Sequence, residues 1–88
     1  MSDNSGGWEI RFTRSARRHR IGRASARRVM ASTDPTPVTT GSGAEAWLYV
    51  GRDERGRKLE IIAVEVQPAT GGPPYLLVIH VMPTQLRG

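Results

Sequence analysis

LEIIAVEV (residues 59–66), QPATGGPP (67–74) and YLLVIHVM (75–82) decide the fold. The outer two runs are almost continuous in apolar and β-branched side chains, and read as strands. The middle run holds Pro68, Pro73 and Pro74 with Gly71 and Gly72. Proline brings no backbone N–H to a ladder, so this segment is a loop. Strands this apolar are central and covered on at least one face. Ile62, Val64, Val78 and Ile79 are therefore expected in the core. Upstream, EAWLYV (45–50) is a further strand. The turn that joins it to 59–66 is GRDERGR (51–57), where Gly56 is available for positive φ.

Towards the N-terminus, WEIRF (8–12) alternates, with Trp8, Ile10 and Phe12 on one face of a short strand. Thr13 suits the N-cap of a short helix over about residues 14–20. Gly22 interrupts it, and a second helix is expected over about 23–32. Ala26, Val29 and Met30 form its apolar stripe. Pro35 and Pro37 end that helix, and residues 38–44 (VTTGSGA) read as a flexible loop. The expected order is β-α-α-β-β-β. That order describes an α+β domain, a small antiparallel sheet with two N-terminal helices on one face. Residues 1–7 are expected as a disordered lead-in, 8–84 as a single domain and 85–88 as a short tail.

Charge is distributed unevenly. Residues 1–28 carry eight Arg against Asp3 and Glu9, while residues 29–88 carry five basic against six acidic residues. The net +5 is thus one basic segment, not a general excess. Such a segment is the electrostatic footprint of a nucleic-acid binder, and equally of a surface that docks an acidic protein. Basic residues are Arg in twelve cases and Lys in one, which suits bidentate phosphate contacts. The absence of cysteine excludes disulfides and thiolate metal sites. With two histidines and no metal-ligand spacing or phosphate-binding glycine loop, neither a metal nor another cofactor is expected. No apolar run reaches the roughly 20 residues of a membrane span, so no membrane partner is expected and the cytoplasm is the default location.

The candidate anion-binding residues are Arg14, Arg17, Arg18, Arg23 and Arg27 on the helical segments, with Arg55 on the hairpin tip. The candidate acid–base side chains are the two histidines: His19, set among Arg17, Arg18 and Arg20, and His80. Strict alternation puts His80 on the face of Leu76, Val78 and Met82. It pairs Glu60 with Ile62, Val64 and Val66, and Glu65 with Leu59, Ile61 and Ala63. Structural ion pairs are the expected role of both carboxylates. Trp47 and Tyr49 share a strand face, and core packing is expected of them.

Two stretches resemble the BrnT toxins of the RelE/ParE superfamily. Arg18-His19-Arg20-Ile21, leading into a helix, resembles their lysine-histidine-glycine-valine step. YVGRDERGRKLE (49–60) resembles their glycine-arginine hairpin running into the central apolar strand. The resemblance spans roughly residues 9–82. It implies the toxin of a type II toxin–antitoxin module, a metal-independent endoribonuclease that inhibits translation. The implied partners are RNA and a cognate antitoxin, with a homodimer or a hetero-oligomer with the antitoxin as the assembly. It also implies that His19, Arg20, Arg52 and Arg57 clamp a phosphate and move a proton. His80 is the alternative centre. Arginines would stabilise charge developing on phosphorus, and a histidine would act as general acid or base. A non-catalytic nucleic-acid-binding domain and a protein-interaction module fit the same basic face.

Overall fold

The computed structural model describes residues 9–17 and 20–84. Its elements are β1 (Glu9–Phe12), a 3-10 turn (Ser15–Arg17), α1 (Arg23–Ser32), β2 (Thr36–Thr39), β3 (Glu45–Arg52), β4 (Lys58–Val66) and β5 (Tyr75–Pro83). The strands form one sheet in the order β1-β5-β4-β3-β2. The pairs β2–β3, β3–β4 and β4–β5 are antiparallel, and β1 runs parallel to β5. Among the described residues, no helix is long and apolar enough to cross a membrane.

This corrects the expected β-α-α-β-β-β order in three places. Among the described residues of 14–20 there is no α-helix; a 3-10 turn (Ser15–Arg17) stands there instead. Thr13 does cap it, accepting the Ala16 amide at 3.2 Å. However, only Ala16 of that turn is buried. The residues after it offer no apolar stripe until Ile21, and a helix this short forms only with packing to support it. Arg20 then takes a left-handed backbone (φ 60°) that redirects the chain into α1. Second, the prolines that end the helix lead directly into strand β2, which runs to Thr39 and so takes the first two residues of the expected 38–44 loop. Pro37 is tolerated there because β2 is an edge strand, where a missing N–H costs no ladder bond. Third, the sheet is mixed, because β1 joins β5 in parallel rather than by a hairpin.

The two faces of the sheet differ. Leu59, Ile61 and Ala63 of β4, Tyr49 of β3, and Leu76, Val78 and Val81 of β5 are buried together with Ala26, Val29 and Met30 of α1. Ile10 and Phe12 of β1 pack at the margin of this core. Burial pushes the Tyr49 phenol above its ordinary pKa. The opposite face carries Glu60, Ile62 and Val64, all only partly buried. A bulge in β5 changes the alternation. Ala63 pairs with Val78 but Ile62 pairs with His80, so Ile79 is the extra residue. The bulge turns Val81 inward and sends His80 to the open face with Met82, not to the face of Val78. Of the four residues expected in the core, Val78 is fully buried, and Ile62, Val64 and Ile79 are half-buried.

Close approach of α1 to β3 depends on Gly51. A Cβ at that position would run into the Cγ2 methyl of Thr33 and touch Val29 Cγ1 at 3.4 Å. Thr33 closes the helix, its hydroxyl donating to the Val29 carbonyl at 3.0 Å. Gly51→Ala is expected to cost about 1–3 kcal/mol by overpacking. Adding Thr33→Ser removes the obstructing methyl, keeps the hydroxyl, and should restore about half of that loss in chemical denaturation. Equal losses in the single and double variants would mean that Thr33 does not set the helix–sheet distance.

Candidate nucleic-acid interface

Six described arginines of the N-terminal segment are exposed on the helix layer: Arg14, Arg17, Arg20, Arg23, Arg27 and Arg28. Arg23, Arg27 and Arg28 lie there because α1 buries Ser25, Ala26, Val29 and Met30 and turns its other positions outward. Arg27 donates to the Ile10 carbonyl at 3.4 Å and lies 5.9 Å from the Phe12 ring centre. The other five have no acidic partner among the described residues. Arg11 is different: it is bonded to Glu9 at 2.9 Å and stacks 4.1 Å over the Tyr75 ring. The first turn of α1 adds to the positive character. Gly22 gives no side-chain cap, and no acidic residue follows it in that turn. One carboxylate approaches, Glu54 of the β3–β4 hairpin, which accepts the Ser25 hydroxyl at 2.9 Å. The Glu54 backbone amide and that hydroxyl hold the Glu54 carboxyl below its ordinary pKa. A shallow depression lined by Ala24, Arg27, Arg28, Ala31, Ser32 and Glu54 runs along this side of the helix.

The hairpin is organised from within. Asp53 is buried and accepts the amides of Arg55 and Arg57, each at 2.9 Å. It also accepts the Arg57 guanidinium, with Nε at 2.9 Å and Nη2 at 2.8 Å. Burial alone would raise the Asp53 carboxyl. The hydrogen bonds from the Arg57 side chain and from the two amides outweigh it and hold the pKa below the ordinary value. Arg52 donates to the Gly56 carbonyl at 2.8 Å. Two of the arginines expected to clamp phosphate are therefore engaged with their own turn. Arg55 is exposed at the tip.

His80 is on the open face of the sheet. Its Nε2 lies 3.4 Å from Oε2 of Glu60. That distance permits an ion pair when the ring is protonated, but the nitrogen, although buried, makes no hydrogen bond. Glu65 faces Gln67, at 3.3 Å, rather than an arginine. Of the expected catalytic residues, Arg20 lies between the 3-10 turn and α1, Arg52 ends β3 with Arg57 in the hairpin after it, and His80 is on β5, on the same sheet face as Arg52 by register. His19 and Arg18 lie outside the described residues, as do Trp8 and the expected N-terminal lead-in. Trp47 is 37% exposed, against the expected core position, while its strand neighbour Tyr49 is buried. Among the described residues, no group of three or more His, Asp or Glu could hold a metal ion.

Comparison with protein-family models, with curated proteins and with solved structures finds no match.

The roles of Arg28, Asp53 and Glu54 escaped the sequence reading. Asp53 had a legible signal: an Asp opening a turn with Gly56 three residues later accepts backbone amides of that turn. The Ser25–Glu54 contact joins residues 29 apart and had no local signal.

Proposed function

We propose that this protein binds nucleic acid, RNA foremost, through the arginines of the 3-10 turn and α1. The observation that carries the reading is the exposure of Arg14, Arg17, Arg20, Arg23 and Arg28 without an acidic partner among the described residues. Phosphate contacts of this kind release counterions, so affinity falls steeply with salt. Binding is a better-supported reading than cleavage. A toxin-like ribonuclease rests on the motif resemblance. Its expected phosphate clamp at Arg52 and Arg57 is occupied by the Gly56 carbonyl and Asp53.

The test is RNA affinity as a function of salt, for the native chain and for Arg17→Gln/Arg23→Gln/Arg28→Gln. Each lost phosphate contact removes about 0.7–0.9 from the log–log slope, so the triple variant should lose about 2. An unchanged slope would place the contact elsewhere, and no binding at about 50 mM salt would refute it. Analysis of the RNA after incubation separates the two readings, because a binder leaves it intact.

A further inference from the structure

Glu54 brings a carboxylate onto the arginine surface, where it opposes phosphate. Phosphate contacts position a nucleic acid but carry no sequence information; base edges carry that. Along α1, the exposed residues Ala24, Arg27, Arg28, Ala31 and Ser32 are related by steps of three and four, and so line one side of the helix. With Glu54 they border a shallow depression of about 660 Å³, within the range of about 300–1,000 Å³ for small-molecule sites. We infer that Glu54 accepts the Watson–Crick edge of an unpaired guanine, whose ring lies in this depression. The inference rests on the RNA-binding reading and adds the substrate class, single-stranded RNA with accessible guanine.

The carboxylate is fixed from two sides. Its Oε2 accepts the hydroxyl of buried Ser25 at 2.9 Å. Behind it, Asp53 closes the hairpin: its amide donates to the Arg57 carbonyl at 2.9 Å, and its carbonyl accepts the Gly56 amide at 3.0 Å. Glu54 is also ionised. Its own amide and the Ser25 hydroxyl hold the carboxyl below its ordinary pKa, so near neutrality it only accepts hydrogen bonds. Those two donors leave about half of its roughly four lone-pair positions open.

Guanine is the base that matches. It presents N1–H and the 2-amino group side by side, two donors for one carboxylate. Adenine and cytosine present one amino group beside a ring nitrogen that is itself an acceptor, and uracil one N–H between two carbonyls. Each of these sets an acceptor against Glu54. The Watson–Crick edge is free only in an unpaired strand, as in the loops and ends where RNA sequence is read. The depression suits a base in other respects. Ala24 and Ala31 are small and apolar. The Arg28 guanidinium has no acidic partner among the described residues, and RNA bases stack on such planes.

The test is fluorescence anisotropy of the full chain with a short labelled oligouridylate whose one central residue is guanosine, adenosine, cytidine or inosine. The guanosine strand should bind about tenfold more tightly than the adenosine or cytidine strand, the order of discrimination a bidentate pair gives. Inosine keeps N1–H but lacks the amino group, and should fall between. Glu54→Gln keeps an acceptor for Ser25 and should keep the native circular dichroism, yet bring guanosine within about twofold of adenosine. Ser25→Ala loosens the carboxylate and should narrow the preference in part. Arg17→Gln/Arg23→Gln should weaken every strand alike. Removing a carboxylate also lessens repulsion of phosphate, so the ratio between strands, not the affinity for mixed RNA, is the readout. Equal affinity for all the strands, at an undiminished salt slope, overturns the guanine contact and leaves the phosphate contacts standing. A preference that survives Glu54→Gln overturns it too. No binding of any strand refutes the arginine reading and this one with it.

Discussion

Ile61→Ala is expected to lower stability by about 3–4 kcal/mol. Ile61 is fully buried on the central strand β4, in register with Tyr49 of β3 on one side and Val81 of β5 on the other. The core offers little to fill the gap. It includes Ala16, Ala26 and Ala63, and its largest fully buried side chains are Leu59, Ile61, Val29, Val78 and Val81. A domain this small has a total stability nearer the low end of about 5–15 kcal/mol, so the loss is a large fraction of it. Urea titration should show a lower midpoint with an unchanged slope. Ile79→Ala is the internal control, since it removes the same atoms from the half-buried bulge residue and should cost about 1 kcal/mol. If Ile79 proves the costlier of the two, the bulge has been placed at the wrong residue and the inward face of β5 with it.

The three long strands were legible because their signal is dense: LEIIAVEV and YLLVIHVM have few other uses. So was α1, whose Ala26, Val29 and Met30 are all buried as its periodicity required. What alternation could not supply was the bulge at Ile79. One extra residue reverses every side chain beyond it, so the sequence put His80 on the wrong face, and no local residue type marks the place. The first helix failed for a related reason. Thr13 is a sound cap, but a cap stabilises only what packing sustains, and the described residues between Ala16 and Ile21, Arg17 and Arg20, are exposed. Proline misled at β2, where an edge position makes Pro37 harmless. Of the site, the exposed arginines were readable from composition. The commitment of Arg52 and Arg57 to their own turn was not, because a run such as GRDERGR gives charge without direction.

These assignments separate the roles of the two basic segments. The arginines of the 3-10 turn and α1 are exposed and largely unpaired, which costs the fold some mutual repulsion and leaves them available to an anion. Those of the hairpin are used inside it. Substitutions in the first group should therefore change binding with little effect on stability, since exposed charges away from other features rarely matter by more than about 0.5 kcal/mol. Substitutions at the centre of the second group should do the reverse.

Asp53→Ala is the sharpest case and is expected to cost about 2–4 kcal/mol. Removing the carboxylate leaves the Arg55 and Arg57 amides and the Arg57 guanidinium without their acceptor, and bonds to a charged group are worth about 1.5–3 kcal/mol. Asp53→Asn keeps an oxygen for the amides but sets a neutral amide against Arg57, so it should lose about half as much. The pH dependence follows from the lowered pKa of Asp53. A carboxyl whose pKa is lower folded than unfolded contributes fully above its unfolded value, near 4, and loses that contribution as pH falls through the folded value. The stability difference between the native chain and Asp53→Asn should thus be constant near neutrality and shrink below about pH 4. A gap that persists to about pH 2 would mean that the charge on Asp53 contributes nothing, and that shape alone holds the turn. The consequence reaches the binding surface by a defined route. Glu54 follows Asp53 in the same turn and holds Ser25 of α1. Loss of the turn therefore frees the first turn of α1 from the Glu54 carboxylate. RNA affinity at low salt should then rise or hold in Asp53→Ala, even as the domain becomes easier to unfold.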